Sequence, residues 1–164
     1  AINDVWAWDF VFDRTTSGSA LKWLSIVDEH TRECLALKPA RSITSNDVIG
    51  TLAELFAMRG VPQHIRSDNG PEFISAAMHE WCLEKGIKLQ FIQPGKPMQN
   101  GYIERFNRSF REDVLDANLF EDISHVRILS DDFMHDYNFD RPHESLGNLS
   151  PINYKRKKTE SEVF

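Results

Sequence analysis

Asp9 is an acidic residue in a place where its chemistry needs an explanation. It lies within Val-Trp-Ala-Trp-Asp-Phe-Val-Phe, the strongest strand pattern in the chain, where aspartate is among the least favoured residues. A carboxylate removed from water in a sheet needs a cation or hydrogen-bond donors, which makes Asp9 a candidate metal ligand. An edge-strand aspartate facing water is the alternative, and Asp13 could take either part.

Asp68 is the second candidate, in the segment Ile-Arg-Ser-Asp-Asn-Gly-Pro-Glu-Phe directly after a short strand pattern. A side chain at that point can project from the end of a sheet, as ligand-binding residues often do. The sequence Asp-Asn-Gly-Pro is also ordinary turn chemistry. From this segment alone a structural turn is the simpler interpretation.

Glu104 is the third candidate and lies in a predicted helix. Glu104, Arg108 and Arg111 follow one another at i, i+4 and i+7, so they form one stripe opposite the apolar stripe. This pattern suits a metal ion beside a phosphate chain, although a salt-bridged surface helix would show it as well. Basic residues outnumber the one acidic residue between positions 94 and 111, which makes Lys96, Arg108 and Arg111 candidate contacts for the phosphates of a nucleic acid.

Composition limits the class of protein. A chain of 164 residues with 41% apolar residues can bury the core of one domain. Two distant cysteines and six histidines without metal-binding spacing predict neither disulfides nor a zinc site, and neither a membrane span nor a signal peptide is expected. The net charge of −6 argues against a nucleic-acid partner, but two divalent cations, +4 in total, would bring it to −2.

The elements that must position these residues follow from periodicity and capping signals. Three strands, a helix, a strand, a helix and a fifth strand are predicted, at positions 5–12, 21–27, 34–37, 45–59, 64–67, 75–85 and 87–91. A loop rich in proline and glycine then excludes regular structure until Asn100 caps a helix that extends to about Ala117. A last helix is predicted at 123–138, and the basic run at 155–158 is expected to be a solvated tail. This order predicts a mixed α/β sheet.

The chain resembles the retroviral-integrase-like (DDE) catalytic core of bacterial insertion-element transposases over nearly its whole length. Five segments carry the resemblance in order: Asn-Asp-Val-Trp-Ala-Trp-Asp-Phe, Val-Asp-Glu-His-Thr-Arg-Glu-Cys-Leu, Arg-Ser-Asp-Asn-Gly-Pro-Glu-Phe, Gln-Asn-Gly-Tyr-Ile-Glu-Arg-Phe-Asn and Tyr-Asn-Phe-Asp-Arg-Pro-His-Glu-Ser-Leu. The acidic triad of the family falls on Asp9, Asp68 and Glu104, and its basic residue seven positions later falls on Arg111.

The resemblance implies an RNase H-like fold with a mixed five-stranded sheet flanked by helices. It implies one integrase-like core over residues 1–164, with a C-terminal helical extension from about 118. Asp9 and Asp68 should lie on adjacent strands and point to the same side of the sheet. The helical DNA-recognition domain of the family, normally N-terminal to the core, has no counterpart here, so we expect a core fragment.

The implied activity is metal-dependent phosphodiester cleavage and DNA strand transfer during transposition. Mg²⁺ or Mn²⁺ would be the cofactor, with two ions when DNA is bound, held by Asp9, Asp68 and Glu104. Element ends and target DNA are the expected partners, in a homo-oligomer within the bacterial cytoplasm. An RNase H-like nuclease without strand transfer and an inactive DNA-binding core are the alternatives.

Overall fold

The fold is built around one sheet of five strands. The computed structural model describes residues 1–68, 70, 75–93 and 95–163. The strands are β1 (Val5–Arg14), β2 (Ala20–Asp28), β3 (Cys34–Ala40), β4 (His64–Ser67) and β5 (Lys88–Phe91). They lie in the order β3-β2-β1-β4-β5, with β1, β2 and β3 antiparallel and β1, β4 and β5 parallel. The predicted mixed five-stranded sheet is confirmed.

The first two helices begin and end where local chemistry requires. Helix α1 (Ser45–Arg59) starts with a capping box between Thr44 and Asp47, and it ends at Gly60, whose φ of 85° favours glycine. Helix α2 (Ala76–Lys85) is capped by the Ser75 hydroxyl, which accepts a hydrogen bond from the backbone N–H of Met78. These signals were legible in the sequence, and both helices match the prediction to within one residue.

The two faces of the sheet carry separate apolar cores. Trp6 and Trp8 pack on one face with residues of α1 and α2. Ala7 and Val11 pack on the other face with residues of α3 (Gly101–Phe110) and α4 (Ile123–Phe139). Because side chains alternate along a strand, Asp9 faces the same side as Ala7 and Val11. The first candidate carboxylate therefore points towards α3.

The region before and after α3 differs from the prediction. Pro97–Asn100 forms a 3₁₀ turn where no regular structure was expected, and Asn100 makes no side-chain capping bond to α3. The predicted helix to Ala117 was too long, since α3 ends at Phe110 and a π-helical segment follows at Arg111–Leu115. The apolar spacing of the sequence continues unchanged through this segment, so the sequence gives no sign of the wider turn. We attribute the wider turn to tertiary packing.

The basic run at 155–158 is solvated at Arg156, Lys157 and Lys158, which are exposed, but it forms part of a helix and not a tail. It lies within helix α5 (Pro151–Val163), and the Nζ atom of Lys155 is 3.3 Å from Oε2 of the buried Glu33. This ion pair attaches α5 to the turn between β2 and β3. The charge composition of the run does not reveal such a contact, because its partner lies far away in the sequence. Among the described residues, none of the helices is both long and apolar enough to span a membrane.

Candidate active site

Asp9 is held by hydrogen bonds on the α3 side of the sheet. It lies in the middle of β1, and its Oδ1 accepts a hydrogen bond from the backbone N–H of Phe10 at 2.8 Å. Its Oδ2 accepts another from the Nδ2 group of Asn107 on α3, at 3.1 Å. These two donors fix the orientation of a half-buried carboxylate, so Asp9 needs no counter-ion to hold its position.

Asp68 follows β4 on the strand next to Asp9. Residue Ala7 of β1 is paired with Arg66 of β4 in parallel, so two further residues along each strand bring Asp9 level with Asp68. Paired residues of parallel strands project from the same face, which agrees with the predicted geometry. The Oδ1 atom of Asp68 accepts a hydrogen bond from the backbone N–H of Gly70 at 2.8 Å, and the rest of the predicted Asp-Asn-Gly-Pro turn lies outside the described residues.

Glu104 lies in the first turn of α3 and shares a groove with Asp9. The groove has a volume of about 310 Å³. Its walls come from β1 and from the polar stripe of α3, namely Asp9, Phe10, Val11, Phe12, Glu104, Asn107, Arg108 and Arg111. Helix α3 therefore contributes the third candidate carboxylate, Glu104, from outside the sheet. It lines the same groove as Asp9 of β1.

The negative charges of Asp68 and Glu104 act on the carboxyl group of Asp9. The pKa of Asp9 is raised from 3.8 to about 6, chiefly by burial and in smaller part by the negative charges of Asp68 and Glu104. The hydrogen bonds from Phe10 and Asn107 oppose the shift without cancelling it. Asp9 is therefore a carboxylate that a nearby cation would strongly favour in its charged form.

The three carboxylates are not gathered into one coordination sphere. Within the described part of the chain, no group of three His, Cys, Asp or Glu side chains is close enough to hold one metal ion. The aspartates are fixed by adjacent strands, whereas Glu104 depends on how α3 is seated. Their oxygen donors nevertheless fit a hard divalent cation such as Mg²⁺, because the charge repulsion around Asp9 would be relieved by it.

Asp13 was the alternative to Asp9 that the strand pattern left open before the family resemblance selected Asp9, and the structure places Asp13 elsewhere. It is paired with Leu21 near the end of β1, and its Oδ1 accepts a hydrogen bond from the backbone N–H of Arg14. Four residues of strand separate it from Asp9, roughly 13 Å at the usual rise per residue. The β1–β4 pairing ends well before it, so Asp9 is the carboxylate beside Asp68.

The predicted DNA contacts divide into two groups. Arg108 and Arg111 line the groove that contains Asp9 and Glu104, and Arg111 donates from Nη2 to the carbonyl oxygen of Phe12 at 2.9 Å. Lys96 is exposed at the start of the 3₁₀ turn and does not line this groove. The sequence correctly placed the two arginines on one stripe with Glu104.

Two polar residues at this site were missed in the sequence. Asn107, which bonds Asp9, is itself fixed by Ser25 of β2, whose hydroxyl donates to Oδ1 of Asn107 at 2.8 Å. Ser25 is fully buried. Two signals were available: Asn107 lies three residues after Glu104 on the same stripe, and Ser25 is a small polar residue inside an apolar strand.

Comparison with known proteins gives two matches to the integrase core domain family, over residues 1–97 and 85–151. The 31.7 kDa protein of insertion element IS407 from Burkholderia multivorans is 38% identical over 157 residues, 96% of this chain and 57% of that protein. The 39.2 kDa protein of insertion element IS476 from Xanthomonas euvesicatoria is 37% identical over 98% of this chain and 48% of that protein. The chain thus spans about half the length of these relatives.

Solved structures show the same fold. The chain aligns with a simian T-cell lymphotropic virus intasome with a TM-score of 0.74 and 18% identity, over 93% of this chain and 54% of that one. The HTLV-2 integrase catalytic core domain in complex with magnesium gives a TM-score of 0.69 and 19% identity, over 93% and 96% of the two chains. The predicted RNase H-like fold is confirmed. Because the family match over residues 1–97 alone covers more than half of the chain, the protein belongs to the integrase core domain family and is related to proteins of bacterial insertion elements.

Proposed function

We propose that this chain is the metal-dependent catalytic core of a DNA transposase, which cleaves phosphodiester bonds and joins DNA strands during transposition. The observation that carries the proposal is the position of Asp9 beside Asp68 on the α3 side of the sheet, where the charges of Asp68 and Glu104 both raise the pKa of Asp9. Kinship with insertion-element proteins supports DNA as the substrate.

Asp9, Asp68 and Glu104 would hold the metal, Mg²⁺ or Mn²⁺. Two such ions, when bound with DNA, would activate the attacking oxygen and stabilise the charge on the leaving oxygen. The carboxylates suit this task because Mg²⁺ prefers hard oxygen ligands. That the related HTLV-2 integrase core was solved with magnesium supports this assignment.

The remaining residues of the groove have supporting roles. Asn107, fixed by Ser25, holds one oxygen of Asp9 in place, so that the ligand does not have to reorient when a cation arrives. Because the pKa of Asp9 is raised to about 6, cation binding below that pH would displace a proton from this carboxyl group. Arg108 and Arg111 provide positive charge beside the carboxylates, suited to the phosphates on either side of the reacting bond.

The partners we propose are element-end and target DNA and further copies of the chain. The HTLV-2 integrase core has been solved in trimeric and dimeric forms, which supports a homo-oligomer in the active complex. Lys96, exposed at the loop before α3, would contact DNA outside the groove.

Nicking of supercoiled plasmid in Mn²⁺ tests the catalytic assignment without knowledge of the element ends. Asp9→Asn, Asp68→Asn and Glu104→Gln should each abolish nicking, because each removes a charged ligand and keeps the side-chain size. The matched control is Asp13→Asn, since this aspartate lies on the same strand and also accepts a bond from the next backbone N–H. Nicking that survives in any of the three variants would remove that residue from the site.

Strand transfer separates the transposase from its two alternatives. A labelled short duplex is incubated with plasmid and Mn²⁺, and covalent attachment of the label to the plasmid is measured. Nicking without attachment would indicate an RNase H-like nuclease. A stabilising effect of Mn²⁺ on thermal unfolding, lost in Asp9→Asn, provides a readout that does not need activity. DNA binding with neither nicking nor this effect would indicate an inactive DNA-binding core.

A further inference from the structure

Helix α3 has three distinct faces. At 3.6 residues per turn, Ile103, Phe106 and Phe110 lie on one face, and Glu104, Asn107 and Arg108 lie about 120° away, in line with Arg111 directly after the helix. Gly101, Tyr102 and Arg105 occupy the third face, about 120° from each of the others. The first face is buried in the core and the second forms the candidate active site. The third has no role in the function proposed above.

The third face lines a second groove, larger than the one that holds Asp9. This groove has a volume of about 710 Å³, within the range of small-molecule sites at roughly 300–1,000 Å³. It lies between β5 and the start of α3 and is lined by two arginines, three glutamines, Tyr102 and apolar side chains. A large groove of mixed chemistry beside the candidate active site suggests a ligand that is part of the same substrate.

Arg66 connects this groove to the candidate active site. It precedes Asp68 by two residues, so both side chains project from the same face of the sheet. Its Nη1 atom is 2.8 Å from both carboxylate oxygens of Glu29, and its Nη2 donates to Oε1 of Gln90 at 3.2 Å. The side chain of Arg66 is thus held in a fixed position at the edge of the groove, and its positive charge is offset by Glu29.

Arg105 supplies the available positive charge of this groove. It is exposed on the third face of α3 and forms no ion pair with a carboxylate of any residue the structure describes. A phosphate entering the groove would meet this guanidinium without displacing an existing partner.

Tyr102 supplies a fixed aromatic surface. The guanidinium of Arg32 lies over its ring, 3.8 Å from the centroid. Arg32 has a left-handed backbone with φ of 64°, and its side chain also donates to the carbonyl oxygens of Glu29 and His30. The ring is therefore supported by the β2–β3 turn, yet 41% of Tyr102 remains exposed and it lines the groove.

We infer that this second groove binds one unpaired nucleotide of the DNA substrate, stacked on Tyr102 with its phosphate at Arg105. A paired base is covered on both faces by its neighbours in the duplex, so only a base that has left the stack can pack against the ring. The side-chain amide of Gln93 can donate and accept hydrogen bonds at a base edge, and Gln99, whose Oε1 accepts a hydrogen bond from the backbone N–H of Gln93 at 2.7 Å, can still donate from its Nε2 group. The inference rests on the proposed function, since it makes DNA the substrate.

The test compares two DNA duplexes that differ only in a short single-stranded overhang. The overhang carries a fluorescent adenine analogue, and affinity is measured by anisotropy in EDTA, so that no cleavage occurs. The unsubstituted chain should bind the overhanging duplex more tightly than the blunt one and should quench the analogue. Tyr102→Ala should lower that affinity about tenfold, equivalent to about 1.4 kcal/mol for one lost stacking contact, and should abolish quenching.

Three further variants separate stacking, charge and non-specific effects. Tyr102→Phe should retain both affinity and quenching, because the ring remains. Arg105→Ala should weaken binding of the overhanging duplex and leave the blunt duplex unaffected. Arg127→Ala, at an exposed arginine of α4 that lines neither groove, should change neither.

Equal affinity of the unsubstituted chain for the two duplexes would overturn the inference and leave the proposed function standing. Equal losses on both duplexes in Tyr102→Ala or Arg105→Ala would also overturn it, since the groove would then be an ordinary backbone contact. Failure to bind either DNA would contradict the proposed function as well.

Discussion

Replacing Asp9 by Asn should make the metal-free protein more stable at neutral pH. The folded-state pKa of Asp9 is raised from 3.8 to about 6, so the folded chain binds its proton more tightly than the unfolded chain does. The sign is therefore that of a destabilising ionisation: stability falls as pH rises from about 4 to about 6 and remains lower above that range. Asn cannot ionise, so it removes this loss.

The magnitude follows from the shift. A shift of about two pKa units corresponds to roughly 3 kcal/mol at most, and partial exposure of Asp9 to solvent reduces the expectation to about 2 kcal/mol. For a chain of this size, that is a rise of about 4 to 8 °C in Tm. The amide should fit, because Asn107 can rotate by half a turn and the Ser25 hydroxyl can both donate and accept.

Thermal unfolding in EDTA at pH 7.5 and at pH 4.5 measures the effect. The Tm advantage of Asp9→Asn should be full at the higher pH and should fall to about a third at the lower one. Asp13→Asn, on the same strand but outside the groove, is the control variant. Addition of Mg²⁺ should raise the Tm of the unsubstituted chain and leave that of Asp9→Asn unchanged. An Asp9→Asn variant that is no more stable at pH 7.5, or equally stabilised at both pH values, would refute the electrostatic reasoning.

The remaining predictions concern DNA binding, the support of Asp9 and the edge of the sheet. The double variant Arg108→Ala and Arg111→Ala should flatten the plot of log affinity against log salt by about 0.9 per lost phosphate contact, and an unchanged slope would contradict these contacts. Ser25→Ala should reduce metal-dependent nicking several-fold while Tm falls by only a few degrees, because the half-buried amide of Asn107 on α3 loses its donor. Asn138→Ala should lower the free energy of unfolding by about 2 to 4 kcal/mol in urea titration, since its amide bonds both the N–H and the carbonyl of Cys34, at 2.7 and 2.8 Å. A loss below about 0.5 kcal/mol would mean that other groups satisfy this backbone.

The parts of the fold that could be predicted are those fixed by local chemistry. Strand β4 and helix α1 were predicted with their observed bounds, because alternation, a capping box and Gly60 act within a few residues. The π-helical segment after Phe110 could not be predicted in this way, since its apolar spacing is that of a continuing helix. Helix α5 had a local signal in Ser150 followed by Pro151, but the partner of Lys155 is Glu33, which lies 122 residues away in sequence.

The candidate site likewise contains residues that could be predicted from the sequence and contacts that could not. The acidic residues and the arginine stripe could be chosen from residue type, helical spacing and family resemblance. The choice between Asp9 and Asp13 required the resemblance, and the β1–β4 register now supplies a physical reason for it. The support from Ser25 through Asn107 joins β2 to α3, and the groove at Tyr102 joins α3 to β5 and to Arg32. Contacts of this kind depend on the tertiary arrangement, which spacing along one element does not contain.

Because each of the three faces of α3 has a different environment, the helix can accept some changes in sequence and not others. A single inserted or deleted residue within Gly101–Phe110 would rotate everything beyond it by about 100° and exchange the roles of the faces. The apolar residues would then meet water, and Glu104 or Arg105 would be carried towards the core. A substitution alters only the face on which it lies and can be tolerated, whereas a change in the length of the helix alters all three faces and cannot. Among relatives, α3 should therefore be a segment of constant length, even where the loops on either side of it grow or shrink.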